Sequence, residues 1–455
     1  MKSFFQSYRP EIREALHLAY PIVLGQVGIV MMGAADAVMV GRLGSDVLAS
    51  ANQGNNIFFM VSGLSFGVLF AISTLVSIRV GEGKPGKGFI AYRAGLVAAL
   101  ILFASQFAVV EFLIQNFHWL GQKGRINELT PGYLRIINFS ALPMLISLAC
   151  RQFTDGLGHT KVGMSITFGG LILNVGLAWV FIYGNLGCPA MGITGAAYAT
   201  LIARILMALA GLWYIRYSHF MGNYRPARMP GWKEVKAELP RIWRIGLPVG
   251  LQTFAEWACF SISGIMVGWL GEARLAAHAV ALNVASITYM IVSGLAIAGS
   301  IMAGNAYGEK DRNKLRRIAH AIFYLIVIFE LFNAIVFVLF NRQIAGLYGV
   351  TTEVQRYIFP LFFLAAVFQL ADGVQAGAMN LLRGIKDVNW SSAISVISYW
   401  IVSLPLSYSL GIGLEWDVYG IWIGFTIGLF VAAVFGVIRF YLHLKTIEFV
   451  SEDEE

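Results

Sequence analysis

Met39-Val40-Gly41-Arg42-Leu43-Gly44 returns later in the chain as Met266-Val267-Gly268-Trp269-Leu270-Gly271. The offset is 227 positions, half of the 455-residue length. Working outward, the same offset joins Pro21-Ile22 to Pro248-Val249, Gly67 to Gly294, Ser73 to Ser300 and Gly81-Glu82 to Gly308-Glu309. Chance could supply one near-match of six residues. A series at one fixed spacing marks an internal duplication.

The composition says what is duplicated. Hydrophobic residues make up 58% of the chain and charged residues 13%, against roughly 25% charged in a soluble domain. A soluble fold and a disordered chain are both excluded. Apolar runs of bilayer length cover Leu16–Val40, Asn52–Ile78, Ala94–Gln115, Leu134–Cys150, Val162–Tyr183 and Ile193–Tyr217, then Ile242–Trp269, Leu275–Ala303, Ile318–Phe340, Tyr357–Leu382, Ser391–Leu410 and Ile421–Leu442. Barrel strands would instead need alternating ten-residue segments. The expected fold is an all-α integral membrane protein of twelve transmembrane helices in two six-helix lobes. Six is even, so the halves share an orientation and their pseudo-twofold runs along the membrane normal. The lobes are expected at 1–217 and 241–445, with a linker at 218–240 (Pro226, Pro230, Pro240) and an acidic tail at 446–455.

Lys and Arg gather in loops on one side, the side of both termini, which makes that side cytoplasmic. The central loop alone carries Arg216, Arg225, Arg228, Lys233, Lys236, Arg241 and Arg244, and another such loop carries Arg383 and Lys386. The opposite side has Arg42, Lys123, Arg125, Arg135, Arg274, Arg342 and Arg356. The net charge of +8 therefore reports topology, and no nucleic-acid partner is expected. The first apolar run has no small-residue cleavage site and reads as a retained span. Cys150, Cys188 and Cys259 lie far apart, and the His residues lack metal spacing, so neither disulfides nor zinc are expected.

An acid inside a span costs roughly 2.5–3.5 kcal/mol on insertion scales, so each requires a reason. Five qualify: Asp36, Glu111, Glu256, Glu330 and Asp372. Glu256 lies half-way along the seventh span, with Ser263 two turns on along the same face. Asp372 lies mid-way in the tenth, with Gln369 and Gln375 three residues to either side. That polar stripe suits a cation or proton site in the second lobe; the alternative is a protonated acid that glues two helices. Asn283 is a further polar lining residue. In the first lobe, Asp36 and Asn174 could bind a cation or relay a proton; Asp36 could instead pair with Arg42, and Asn174 could bond across helices. Glu111 and Glu330 read as structural, Arg204 as pairing with an acid or snorkelling, and Asp155 as a turn residue. The glycine-rich Gly81–Gly88 lacks the Gly-Lys-Ser/Thr ending of a phosphate loop and reads as a turn. Aromatic and Met residues could line an adaptable pocket for organic cations.

Two six-helix lobes, Met39–Gly44, Gly304-Asn305-Ala306-Tyr307-Gly308 and Leu382-Arg383-Gly384 together resemble the multidrug and toxic compound extrusion (MATE) transporters over nearly the whole chain. Asp36, Glu256 with Trp257, and Asp372 fall where the NorM branch of that family carries its membrane acids. The resemblance implies export of cationic and amphipathic organic compounds in exchange for Na⁺ or H⁺, with no other cofactor and no enzymatic activity. It assigns Glu256 and Asp372 to cation coupling in the second lobe, where Na⁺ could bind, and Asp36 with Asn174 to the first. Two oxygen ligands found in some relatives are missing: Ala178 follows Asn174 by one turn, and Phe368 precedes Asp372 by one turn.

The expectation is thus a monomeric antiporter of a bacterial inner membrane that works by alternating access, with small organic cations as substrates. One rival is a lipid or oligosaccharide flippase of the same superfamily, for which Arg or Lys would line the cavity. Another is a major-facilitator-type uptake carrier, whose basic loop between the second and third spans is absent here. A channel or membrane enzyme lacks any filter loop or paired nucleophile and base.

Overall fold

The computed structural model describes residues 2–120, 124–226 and 228–447. Lys123 and residues 448–455, most of the expected acidic tail, lie outside the described residues. The helices are α1 (Lys2–Gly41), α2 (Ser45–Gly81), α3 (Pro85–Gln115), α4 (Arg125–Phe139), α5 (Ala141–Gly156), α6 (Thr160–Tyr183), α7 (Ile193–Tyr217), α8 (Trp232–Trp269), α9 (Glu272–Gly308), α10 (Arg312–Leu339), α11 (Asn341–Leu347), α12 (Thr352–Gly384), α13 (Val388–Val396), α14 (Leu404–Tyr408) and α15 (Asp417–Thr446). Among the described residues there is no strand. Among the described residues ten runs are long and apolar enough to cross a bilayer, and α4 with α5 forms an eleventh, bent by 41°. α8 completes the twelve expected. It is 38 residues long but less apolar, because Gln252, Thr253, Glu256, Ser261 and Ser263 interrupt it.

The repeated motif has a local cause. In both copies the helix ends in one tight turn: Leu43 N–H donates to Val40 O at 3.0 Å, and Leu270 N–H to Val267 O at 3.0 Å. The chain then leaves through Gly44 at φ 127° and Gly271 at φ 118°, a conformation a Cβ would forbid. The turn expected at Gly81–Gly88 occupies Glu82–Lys84, with Pro85–Gly88 opening α3: Lys84 N–H donates to Arg79 O at 2.9 Å, as Asp311 N–H does to Ala306 O at 3.1 Å.

The chain forms two compact units, one of Leu24–Gly250 and one of Met1–Val23 with Leu251–Glu455. The divisions fall inside α1 and α8, 227 residues apart, each two residues after an internal proline (Pro21, Pro248). A proline removes one intrahelical hydrogen bond and bends its helix there. The division thus lies elsewhere than in the 218–240 stretch expected as a linker. Residues 232–240 of that stretch are helical, Pro240 included.

Within each unit a repeated glycine has one task. In the first, a Cβ on Gly67 of α2 would lie 2.4 Å from Gly250 Cα. In the second, a Cβ on Gly294 of α9 would lie 2.3 Å from Val23 Cγ2. Gly250 and Val23 are themselves repeat partners, so the duplication preserves a close helix crossing. One acid is repeated as well: Glu238 meets Arg241 at 2.9 Å and Arg79 at 3.8 Å, and its repeat partner Glu11 meets Arg317 at 2.8 Å, although these arginines are not repeat partners of one another. The first unit's core includes Phe58, Val110, Leu134, Ile137, Ala178 and Ile182. The second has one core around Ile22, Ile301, Ile322 and Leu381 and another around Phe337, Phe362, Tyr399 and Trp422.

Two spans differ from expectation, and one short helix is additional. The fourth begins at Arg125 rather than Leu134 and breaks at Ser140, whose hydroxyl donates to Ile137 O at 2.6 Å. The eleventh is interrupted by widened turns at Ile397–Ser403 and Ser409–Gly413. Pro405 lies between them and has no N–H for the regular ladder. Between the ninth and tenth lies α11, a short helix the apolar pattern does not reveal.

Candidate functional site

In the second unit, α12 places Gln369, Asp372 and Gln375 on one face. All are buried, at 2%, 7% and 2% exposure. Gln369 Nε2 donates to Ala285 O at 3.2 Å and also to Thr288 Oγ1, tying α12 to α9. Asp372 Oδ1 is buried, with no hydrogen-bond partner among the described residues. A buried acceptor without a donor is costly, and a bound proton or cation would remove that cost.

Glu256 is positioned by the eleventh span. Trp400 Nε1 donates to Ala255 O at 3.1 Å, and Cys259 Sγ donates to Tyr399 O at 3.7 Å. These contacts bracket Glu256 on α8. They come from the widened turn, which also buries Tyr399 completely and sets its side chain beside Glu256. Widened turns often mark functional positions. Glu256 lies in the field of Arg383 and Tyr399, Asp372 in that of Glu256 and Glu330, and Tyr289 in that of all three acids and Arg383. The second unit thus gathers the two expected acids with Tyr289, Glu330, Arg383 and Tyr399.

Two of the expected lining residues are engaged elsewhere. Ser263 donates to Phe260 O at 2.8 Å and lines a small pocket with His278, Phe368 and Trp422. Asn283 accepts from the Tyr348 hydroxyl at 2.8 Å. Phe368 packs edge-on against Trp422, ring centroids 5.3 Å apart.

The first unit builds a smaller arrangement. Thr200 of α7 donates to Asp36 Oδ2 at 3.2 Å or to Ala196 O at 3.1 Å, and accepts from Asn174 Nδ2 at 3.3 Å. Asp36 Oδ1 and Asn174 Oδ1 are buried, with no hydrogen-bond partner among the described residues. Asp36 and Asn174, expected to act together, are therefore joined through a threonine that sequence reading does not single out. Ala178, one turn beyond Asn174, is fully buried in the apolar core.

The other singled-out charges have structural settings. Arg204 donates to Ser140 Oγ at 2.6 Å, at the break between α4 and α5. Its guanidinium lies 5.1 Å from the centroid of Phe58 and within the field of Asp36. Glu111 pairs with Arg135 at 2.7 Å on the surface. Asp155 opens the turn that ends α5, its carbonyl accepting from Gly158 N–H at 2.9 Å, and its side chain is buried, 2% exposed and 3.5 Å from Arg151 one turn earlier. Among the described residues no three His, Cys, Asp or Glu side chains group as ligands for one metal ion.

The model of the MatE family matches residues 21–180 and 248–409. The chain belongs to the MatE family. Both matched segments begin at the repeated proline, Pro21 and Pro248, so each carries one copy of the duplicated unit. The chain is 32% identical over 453 residues to a probable multidrug resistance protein NorM of Rhizobium meliloti, covering 97% of this chain and 95% of the relative. It is 32% identical over 445 residues to the multidrug resistance protein NorM of Photobacterium profundum, covering 95% and 96%. Among solved structures it resembles a MATE transporter crystallised in the bent conformation, with a TM-score of 0.86 at 22% identity, covering 97% of this chain and 98% of that one. The MatE membership accounts for the duplication and for the twelve spans.

Proposed function

We propose that this MatE-family protein is a secondary antiporter for multidrug efflux. It exports cationic, amphipathic organic compounds in exchange for a monovalent cation, Na⁺ or H⁺, by alternating access. The reading places it as a monomer in a bacterial inner membrane with both termini cytoplasmic. Its relatives' names carry the efflux assignment, and the excess of Lys and Arg in the loops on one side carries the orientation.

One observation carries the coupling assignment: Asp372, mid-span and buried, has an oxygen that no described residue satisfies, in the field of Glu256. An entering cation neutralises this site and favours one conformation. The exported cation leaves when its own favoured conformation loses that advantage. Exchange needs this difference in affinity between states, and tight binding alone does not produce it. A membrane potential supplies about 2.3 kcal/mol per 100 mV for each charge that enters. The first-unit trio of Asp36, Thr200 and Asn174 forms a second, separate place for a cation or proton.

The test is dye efflux from proteoliposomes containing Glu256→Gln or Asp372→Asn at equal protein density. Both variants lose gradient-driven efflux under this reading. Wild-type coupled efflux in both would sink it.

A further inference from the structure

Glu330 is the acid that the coupling scheme above leaves without a task. It lies on α10, whose apolar run has a mean hydropathy of 2.6, and is 1% exposed. Its one hydrogen-bond partner among the described residues is Asn333, one turn on, whose Nδ2 donates to Oε2 at 3.3 Å. The neighbouring helix explains how the acid reaches its place. α12 presents Gly373 and Gly377 to α10 at a four-residue spacing that puts both on one face. A Cβ on Gly377 would lie 2.8 Å from Ile326 Cδ1, and one on Gly373 would lie 3.0 Å from Glu330 Cγ and 3.2 Å from Glu330 Oε1. The two glycines let α10 settle onto α12, so that the Glu330 carboxyl rests against the residue next to Asp372.

The charges there do not balance. Asp372 lies in the field of Glu256 and Glu330, and Tyr289 in that of all three. Among the described residues the charged groups facing this region are the three carboxyls and one guanidinium, Arg383. Three acids against one arginine leave two negative charges to be neutralised, because like charges are poorly screened where water is excluded. A helix-gluing role would be met by an amide at 330. A carboxyl there adds a charge that must be matched whenever it is ionised.

We propose that Glu330 is a third coupling carboxyl of the second unit and takes up one monovalent cation of its own in each cycle. The inference rests on the antiport reading above. It makes Glu330 a determinant of stoichiometry rather than of substrate recognition. Gly373 and Gly377 are the positioning residues that bring it beside Asp372.

The experiment measures the number of cations exchanged per substrate in proteoliposomes. The membrane potential is clamped, and the substrate gradient that just balances the driving force is found under a pH gradient and, separately, a Na⁺ gradient. The gradient that drives wild-type efflux identifies the cation. Glu330→Gln is isosteric and is expected to move one cation fewer per substrate than wild type, whereas Glu330→Asp retains the wild-type number. An unchanged count in Glu330→Gln overturns the inference. Wild-type efflux that responds to neither gradient overturns the antiport reading itself, a separate outcome. A second measurement needs no variant: wild-type protein is treated with a hydrophobic carbodiimide and its adducts are mapped by mass spectrometry. Adduct on Glu330 that is suppressed at high pH or by Na⁺ supports a cation-loading role. Adduct confined to Glu256 or Asp372 overturns it.

Discussion

Asp36 on α1 and Ser263 on α8 are repeat partners, 227 residues apart. In the first unit the aspartate meets Thr200 and leaves one oxygen open. In the second the serine bonds its own helix at Phe260 O, and the acids stand elsewhere: Glu256 two turns earlier, with Asp372 and Glu330 on other helices. The glycines tell the opposite story. Gly44 and Gly271 make the same turn, and Gly67 and Gly294 admit the same helix crossing. Duplication therefore kept the positions that backbone geometry dictates and let the charges diverge. One unit holds an acid, a hydroxyl and an amide; the other holds three acids, two tyrosines and an arginine.

The comparison can be broken most forcefully at the acids. Removing one member of a buried charged set costs about 2–5 kcal/mol, so Asp372→Asn is expected to reduce gradient-driven efflux roughly 30-fold or more. Asp36→Asn, which touches the smaller arrangement, is expected to lose less. Initial rates of dye efflux at matched protein density check the order. Equal losses would mean that the units are functionally alike despite their different charges.

The glycines give the next effect. A methyl on Gly67 meets the backbone of Gly250, which cannot step aside, whereas one on Gly294 first meets the tip of Val23. Overpacking of this kind costs about 1–3 kcal/mol. Gly67→Ala is expected at the upper end of that range and Gly294→Ala at the lower. Thermal midpoints in detergent, read by fluorescence-detected size exclusion, separate them. A larger drop for Gly294→Ala would contradict the packing account.

These contrasts show what a sequence makes legible. The helix-ending motif is readable because its last glycine requires a conformation other residues avoid. Glu256 and Asp372 are readable because charge in an apolar run is conspicuous. Tyr289 and Tyr399 are not, since a tyrosine in a span resembles any packing aromatic until its neighbours are known. Arg383 reads as part of a cytoplasmic loop because it lies in the last turn of α12. Glu330 stands out in the sequence, but the glycines that bring it to Asp372 belong to another helix. Thr200 is hidden because its partner, Asp36, lies 164 residues away, whereas the break at Ser140 has a signal in Pro143, whose missing N–H leaves the Phe139 carbonyl without its ladder partner.

Two smaller effects sharpen the comparison. Thr200→Val removes the hydroxyl that bonds Asp36 and is expected to cost about 1–3 kcal/mol in stability or coupling. Ser263→Ala, at the position matched to Asp36, removes a bond within one helix and is expected to cost no more than about 1 kcal/mol. Denaturation midpoints and efflux rates measured on both decide whether the matched positions have indeed diverged. Glu111→Gln removes a surface pair in which Arg135 is 51% exposed and is expected to change stability by less than about 1 kcal/mol. A larger change, read from the same midpoint, would give that pair a role the geometry does not assign.

The central claim is that buried acids couple cation entry to substrate exit. Its most direct test is substrate efflux by the wild-type protein in proteoliposomes, under a pH gradient alone and then under a Na⁺ gradient alone. Efflux that rises with one of these gradients and collapses when that gradient is dissipated is the predicted result. Efflux at the same rate with both gradients dissipated would contradict the account.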